Sequence, residues 1–340
     1  MIQLSLSPEQ LEVAAVAEKF LATELPLNKV RSLAETDTPS TIDDGTWRHC
    51  ADLGWFGLGV PESRGGVGFG PVEEFALFRE LGRHLTPGPF IPTVIAGWVA
   101  AAVDDERLAA DLFGGARRAG LLVDRYVFDG EVGGLAVGFD GDTCRVATIS
   151  SLDPRPSVDA SVRLVVAELG EPIAECTDAL LLARAQVLVA ATQLGIADAV
   201  RDMSVEYAKQ RLQFGKPIGT FQAVKHRCAD MAMRSHAATA QTLFAAFHVE
   251  SRADDATFQA AAALLVANKA ANANAADNVQ NHGAIGFTVE HDAGLFARRA
   301  HMLEYALGGQ TTAAPIVLTP DRHRYAALPS AAADWFAAAD

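Results

Sequence analysis

Hydrophobic and polar positions change their spacing twice along this 340-residue chain, and each change marks a change of structure. Up to about residue 115 the pattern is helical. Ser7, Pro8 and Glu9 supply an N-cap, a first helical position and a first-turn acid, opening an amphipathic helix that runs to about Leu25, where Pro26 stops it. A second helix is predicted over Asp43–Leu53 and a third over Pro71–Arg83, and "LTPGPFIP" (Leu85–Pro92) breaks the chain before another apolar helix. From residue 116 to 176 short runs such as "AGLLV", "GGLAVGF", "CRVATI" and "VRLVVAEL", separated by Gly, Asp and Pro, predict a small antiparallel β domain. Long helices then return over Thr177–Arg211, Thr220–Glu250 and Asp254–His282. The first is apolar almost all round and should lie inside a bundle or an oligomer. The other two are rich in Ala, which permits close packing. No internal repeat is present, and the Pro- and Ala-rich tail from Leu318 receives no assignment. The expected class is α+β, mostly α: a helical domain (1–115), a small β domain (116–176) and a four-helix bundle domain (177–340).

Net charge −14 argues against nucleic acid or anionic lipid as a partner. Against that background "KQRLQFGKPIGTFQAVKHR" (Lys209–Arg227) holds five Lys and Arg and no carboxylate, which suits a pocket for a small anion. Cys50, Cys144, Cys176 and Cys228 are scattered, as in a reducing cytoplasm, and give no zinc site; His226, His282 and His291 lack metal-ligand spacing. The opening "MIQLSLSPEQ" lacks the form of a signal peptide and no run of about 20 apolar residues is seen, so a cytoplasmic protein is expected. "GGVGFG" (Gly65–Gly70) imitates a dinucleotide loop, but no buried strand precedes it; a tight loop between helices is the better reading.

"LSPEQ", "ADLGWFGLGVPESRGGVGFGPVEEFALFRELGRHLTPGPF" (Ala51–Phe90), "EYAKQRLQFGKPIGTFQAVKHRCADM" (Glu206–Met231) and "NVQNHGAIGFTVEHD" (Asn278–Asp292) resemble, in that order and across nearly the whole chain, segments of the acyl-CoA dehydrogenase family. The resemblance implies a helical–β–helical fold, a tetramer built on the C-terminal bundles, and FAD lying across a subunit interface. It also implies that the ADP half of the FAD is held by the neighbouring chain's Arg-x-x-Phe-Gly and Gln-x-x-Gly-Gly elements. Here these fall at Arg211, Gln213 and Phe214, then at Gln280, Gly283 and Ala284. Arg suits a pyrophosphate or its polar edge, and small residues let the backbone come close. Ala284 departs from the second glycine, and His282 lies between Gln280 and Gly283. Read singly, Arg211 is a helix-end cation and Phe214 an ordinary core residue; their pairing with the Gln280 segment favours cofactor binding.

The same resemblance exposes losses. The family's base glutamate aligns with Leu307 and its alternative position with Ala185, neither of which accepts a proton; Glu304 is the nearby acid, read as a solvated surface group. No catalytic residue is therefore assigned to this chain. Between Arg117 and Glu175 there is no Trp and no counterpart of the family's flavin-ring loop. This asymmetry is similar to that of heteromeric α2β2 members from actinobacterial steroid side-chain degradation. It implies a subunit that completes the FAD site of a second, catalytic chain, which would bind most of the acyl-CoA substrate. Two readings stay open beside it: a homotetramer with a displaced base, and a flavin-free scaffold.

Overall fold

The computed structural model describes residues 5–34 and 42–319; the first four residues, residues 35–41 and most of the tail lie outside the described residues. Helix α1 (Pro8–Glu24) starts as the sequence dictates: Ser7 Oγ accepts the Gln10 N–H and the Gln10 side chain accepts the Ser7 N–H. Pro26 does not leave the chain extended. It leads directly into a short helix, α2 (Leu27–Ala34), which the sequence reading missed. Asp43 caps α3 (Asp44–Asp52), and the bond from Thr46 N–H holds the Asp43 carboxyl down at about 2. The glycine run is a loop, as read. Gly65 and Gly68 take φ +79° and +86°, and a 3-10 turn, not a strand, precedes them.

Helices α4 (Pro71–Arg83) and α5 (Phe90–Ala102) carry the core of this half, with Trp47, Phe56 and Phe90 in ring contact beneath them. A short α6 (Glu106–Phe113), capped by Asp105, was also missed. Five strands follow: β1 (Ala119–Val123), β2 (Tyr126–Phe128), β3 (Leu135–Asp140), β4 (Thr143–Arg155) and β5 (Leu164–Thr177). They close into a barrel in the order β1-β2-β5-β4-β3. The expected all-antiparallel domain is corrected at the closure, where β1 runs parallel to β3 with Ala119 opposite Leu135. Closing the sheet removes both edges, which a domain this short could not otherwise cover.

Helix α7 (Ala179–Gln210) is the axis of the molecule. It is long and apolar enough to span a membrane, yet 78% of its most apolar window is buried inside the fold. It lies against α4 so closely that a Cβ on Gly82 would stand 2.0 Å from the Thr192 carbonyl oxygen, and one on Gly195 2.0 Å from that of Arg79. Only glycine permits that approach. Helices α8 (Gln222–Glu250) and α9 (Ala256–His282) pack on α7 through alanines. The expected fourth bundle helix is two shorter ones, α10 (Ala293–Glu304) and α11 (Gly309–Leu318), both packed along α9.

Two buried ion pairs fix the layers. Arg184 on α7 donates to both oxygens of Glu74 on α4 at 2.7 and 2.8 Å and to the Gly59 carbonyl at 2.7 Å. Trp98 completes this cluster, its indole N–H on Glu74 at 3.1 Å and its ring 4.0 Å from the Arg184 guanidinium. Arg299 on α10 pairs with Asp159 of the β4–β5 loop and donates to Ser161 Oγ and the Thr86 carbonyl. It joins bundle, barrel and first helical layer at one point.

Candidate functional site

Polar side chains inside the bundle set the register of α7 against α9. The Gln193 amide donates to Asn268 Oδ1 and the Ala300 carbonyl, Asn274 donates to the Ala197 carbonyl, and Ser204 Oγ donates to Asn278 Oδ1 at 2.7 Å. Buried polar groups in an apolar bundle must find these partners, so sliding either helix would orphan several at once. The two helices consequently end side by side, with the Tyr207 ring stacked on His282 at 4.2 Å. His282 Nδ1–H donates to the Asn278 carbonyl at 2.8 Å, and its ring lies 4.2 Å from His291. Burial lowers the pKa of both imidazoles below the usual histidine value.

From the end of α7 the chain turns through a hairpin of β6 (Leu212–Gln213) and β7 (Lys216–Pro217). Its two-residue turn is Phe214-Gly215, with φ +51° and +77°. Positive φ at both positions suits the twist of a hairpin but is costly for an aromatic residue. Phe214 is 90% exposed, so no core contact compensates the strain. That overturns the reading of Phe214 as core. The Arg211 N–H closes the last turn of α7 on the Tyr207 carbonyl, while its guanidinium is exposed and has no ion pair among the described residues. Gln213 is exposed beside it.

The cationic stretch is partly spent elsewhere. Arg227 donates to Asn281 Oδ1 at 2.9 Å and pairs with Asp277, and Lys209 pairs with Glu206. Lys216 sits over the Phe221 ring. Arg211 and Lys225 remain exposed to solvent.

From the end of α9, Gln280 faces solvent and Gly283 takes φ +66°, ψ −139°, a conformation only glycine holds without strain. Ala284 needs no such freedom: it lies exposed in the following 3-10 turn. Phe287 is 78% exposed and Ile285 and Val289 are also uncovered. The structure thus brings the two predicted segments to neighbouring helix ends. No hydrogen bond joins Arg211, Gln213 or Phe214 to Gln280, Gly283 or Ala284 among the described residues; the Tyr207–His282 stack and the bonds of Arg227 to Asn281 and Asp277 link the two segments. The set presents a cation, amide groups and bare aromatic surface outward, and an apolar exposure of this kind marks a contact surface.

Leu307 is buried at φ +56°, between Glu304 and Gly308. Ala185 is fully enclosed in α7. Glu304 Oε2 accepts from Asn272 at 3.2 Å and lies 3.6 Å from His301, at the surface of the bundle. The sequence reading missed a different acid. Asp129, at the end of β2, lines an apolar cavity of about 70 Å³ where α5, the barrel and α10 meet, together with Arg299. Burial pushes its carboxyl up to about 6, although it accepts the Arg163 N–H at 2.9 Å. Its aspartate–glycine context reads as a turn, so nothing in the sequence marks it.

Comparison with known proteins places this geometry. A family model for the acyl-CoA dehydrogenase C-terminal domain matches residues 178–316, and one for the N-terminal domain matches residues 7–106. Acyl-CoA dehydrogenase IpdE2 of Mycobacterium tuberculosis is 35% identical over 263 residues, covering 76% of this chain and 81% of its own length. IpdE2 of Mycolicibacterium smegmatis is 33% identical over 298 residues, covering 87% and 92%. Among solved structures, the Tcur3481-Tcur3483 steroid ACAD superposes with a TM-score of 0.78 at 22% identity, covering 94% of this chain and 99% of that one. The ChsE4-ChsE5 complex from Mycobacterium tuberculosis gives 0.76 at 21%, covering 96% and 100%. These two likenesses bear on the fold. With its helical–barrel–helical order, two family models covering more than half of its length and relatives above 30% identity, the chain belongs to the acyl-CoA dehydrogenase family.

Proposed function

We propose that this chain is the cofactor-completing subunit of a heteromeric α2β2 acyl-CoA dehydrogenase. Arg211, Gln213 and Phe214, with Gln280, Gly283 and Ala284, hold the ADP half of an FAD whose flavin ring is bound by a second, catalytic chain. The observation that carries this reading is the strained, 90% exposed Phe214, which meets only the edge of Phe221 among the described rings, beside an Arg211 with no ion pair among the described residues. These residues fit the group. The guanidinium meets a pyrophosphate edge, the aromatic face packs against the cofactor or the partner, and Gly283 lets backbone approach closely. The stacked Tyr207–His282 pair holds both segments in place.

Held there, FAD would supply the acceptor for the hydride leaving the acyl β-carbon. The α-proton must go to a positioned base, which contributes roughly 10²–10⁴ in rate. Here Leu307 fills the aligned position with hydrocarbon, and Glu304 is turned to Asn272 and His301 at the surface. The base then belongs to the partner. The ChsE4-ChsE5 and Tcur3481-Tcur3483 assemblies are named as pairs of unlike chains, and the latter as a steroid ACAD. That supports a partner chain and a CoA thioester derived from a steroid.

The test is turnover of acyl-CoA by the co-expressed complex, followed with an electron acceptor. Glu304→Gln should leave the rate essentially unchanged, and Leu307→Glu should add no second active site. A fall of a hundredfold or more in Glu304→Gln, the size expected for losing a general base, would make this chain catalytic and overturn the proposal.

A further inference from the structure

A second cavity, of about 490 Å³, opens between the first helical layer and the mouth of the barrel. It shares no residue with the Arg211 and Gln280 segments. Its volume is that of a small-ligand site, typically about 300–1,000 Å³, but its lining is polar. Three arginines reach it: Arg48 from α3, and Arg117 and Arg118 from the loop into β1. Two acids oppose them, Asp44 and Glu131, and both are engaged. Arg118 donates to Asp44 Oδ1 at 2.7 Å, and Glu131 lies 3.5 Å from Arg163 and 3.9 Å from Arg118. Arg48 and Arg117 have no ion-pair partner among the described residues. In a chain of net charge −14, two uncompensated guanidiniums facing one concavity are a local exception.

The walls are built for close approach. Gly114 and Gly115 form one side and Gly133 and Gly134 the other, with φ +72° at Gly115 and +75° at Gly133. A Cβ on Gly133 would meet nothing within 4 Å, so the open space lies against bare backbone. Guanidiniums match phosphate oxygens in shape and charge, and bare backbone on both walls lets such a group come close to them.

We propose that this cavity binds a phosphate group, held by Arg48 and Arg117, with Arg118 recruited from Asp44. The group comes either from a free inorganic phosphate or from a phosphorylated small molecule such as a nucleotide. The probes are therefore inorganic phosphate, pyrophosphate, ADP and coenzyme A, titrated calorimetrically into the full-length chain at constant ionic strength. Saturable binding of pyrophosphate as tight as that of ADP identifies free phosphate as the ligand. Tighter binding of ADP or coenzyme A that persists in Arg211→Ala and is weakened by Arg48→Gln identifies a nucleotide-borne group in this cavity.

Two variants act in opposite directions. Arg48→Gln and Arg117→Gln should each weaken binding about tenfold, the effect of one charge-assisted hydrogen bond. Asp44→Asn should tighten it about threefold or more, because a carboxylate that competes with the anion for Arg118 is gone. A gain of affinity cannot come from misfolding, and Asp44 is exposed and is not the cap of α3. No saturable binding of any probe at millimolar concentration, or affinities unmoved by Arg48→Gln and Asp44→Asn, would overturn the assignment.

Discussion

Replacing Glu74 by Ala is expected to lower the unfolding free energy by about 3–5 kcal/mol, the cost of leaving one partner of a buried pair uncompensated. The carboxylate is fully buried and accepts three hydrogen bonds, two from Arg184 and one from the Trp98 indole. Its removal leaves a guanidinium mostly enclosed between α4, α5 and α7 with neutral partners, the Gly59 carbonyl and the Trp98 ring, in place of its counter-charge. A chemical-denaturation midpoint measures the effect. Glu74→Leu combined with Arg184→Leu should recover much of the loss, since an apolar pair of similar volume removes the stranded charge as well. A Glu74→Ala cost below about 1 kcal/mol would place the pair among surface ion pairs, which contribute little.

Arg211→Ala should weaken FAD retention by the assembled complex about tenfold to a hundredfold, while leaving assembly intact. The guanidinium is exposed at the end of α7 and takes no part in the bundle core. In the proposed role, its loss removes one charge-assisted hydrogen bond to the cofactor, about 1.5–3 kcal/mol, and little else. Flavin absorbance after dialysis, beside the complex's size in gel filtration, separates the two effects. Full retention of flavin would reduce Arg211 to a cation at a helix terminus.

What the sequence disclosed and what it hid follow from how local each signal is. Helix α4 was predicted to its end residues because Pro71 sits at its first position and glycines precede it. Pro26 misled, because a proline that ends one helix can equally begin the next, as it does before α2. The parallel β1–β3 closure had no signature, since alternation gives faces and not partners. At the site, the residue types of Arg211, Phe214 and Gln280 were legible from spacing and resemblance. Their outward presentation was not, because it depends on where α7 and α9 end relative to each other. The Arg299–Asp159 pair was out of reach: 140 residues separate its members, and only the packing of α10 on the barrel brings them together. Asp129 was hidden in the same way, since its raised pKa comes from enclosure by three layers.

The proposed role has this chain supply one half of a cofactor site and lack the other. The most direct measurement is the FAD content of the chain purified alone and of the complex co-expressed with its partner, read by flavin absorbance against native mass. The account predicts a colourless chain alone, and one FAD for every pair of unlike chains in the heterotetramer. One FAD on every chain of the complex, or stoichiometric FAD on this chain by itself, would contradict it.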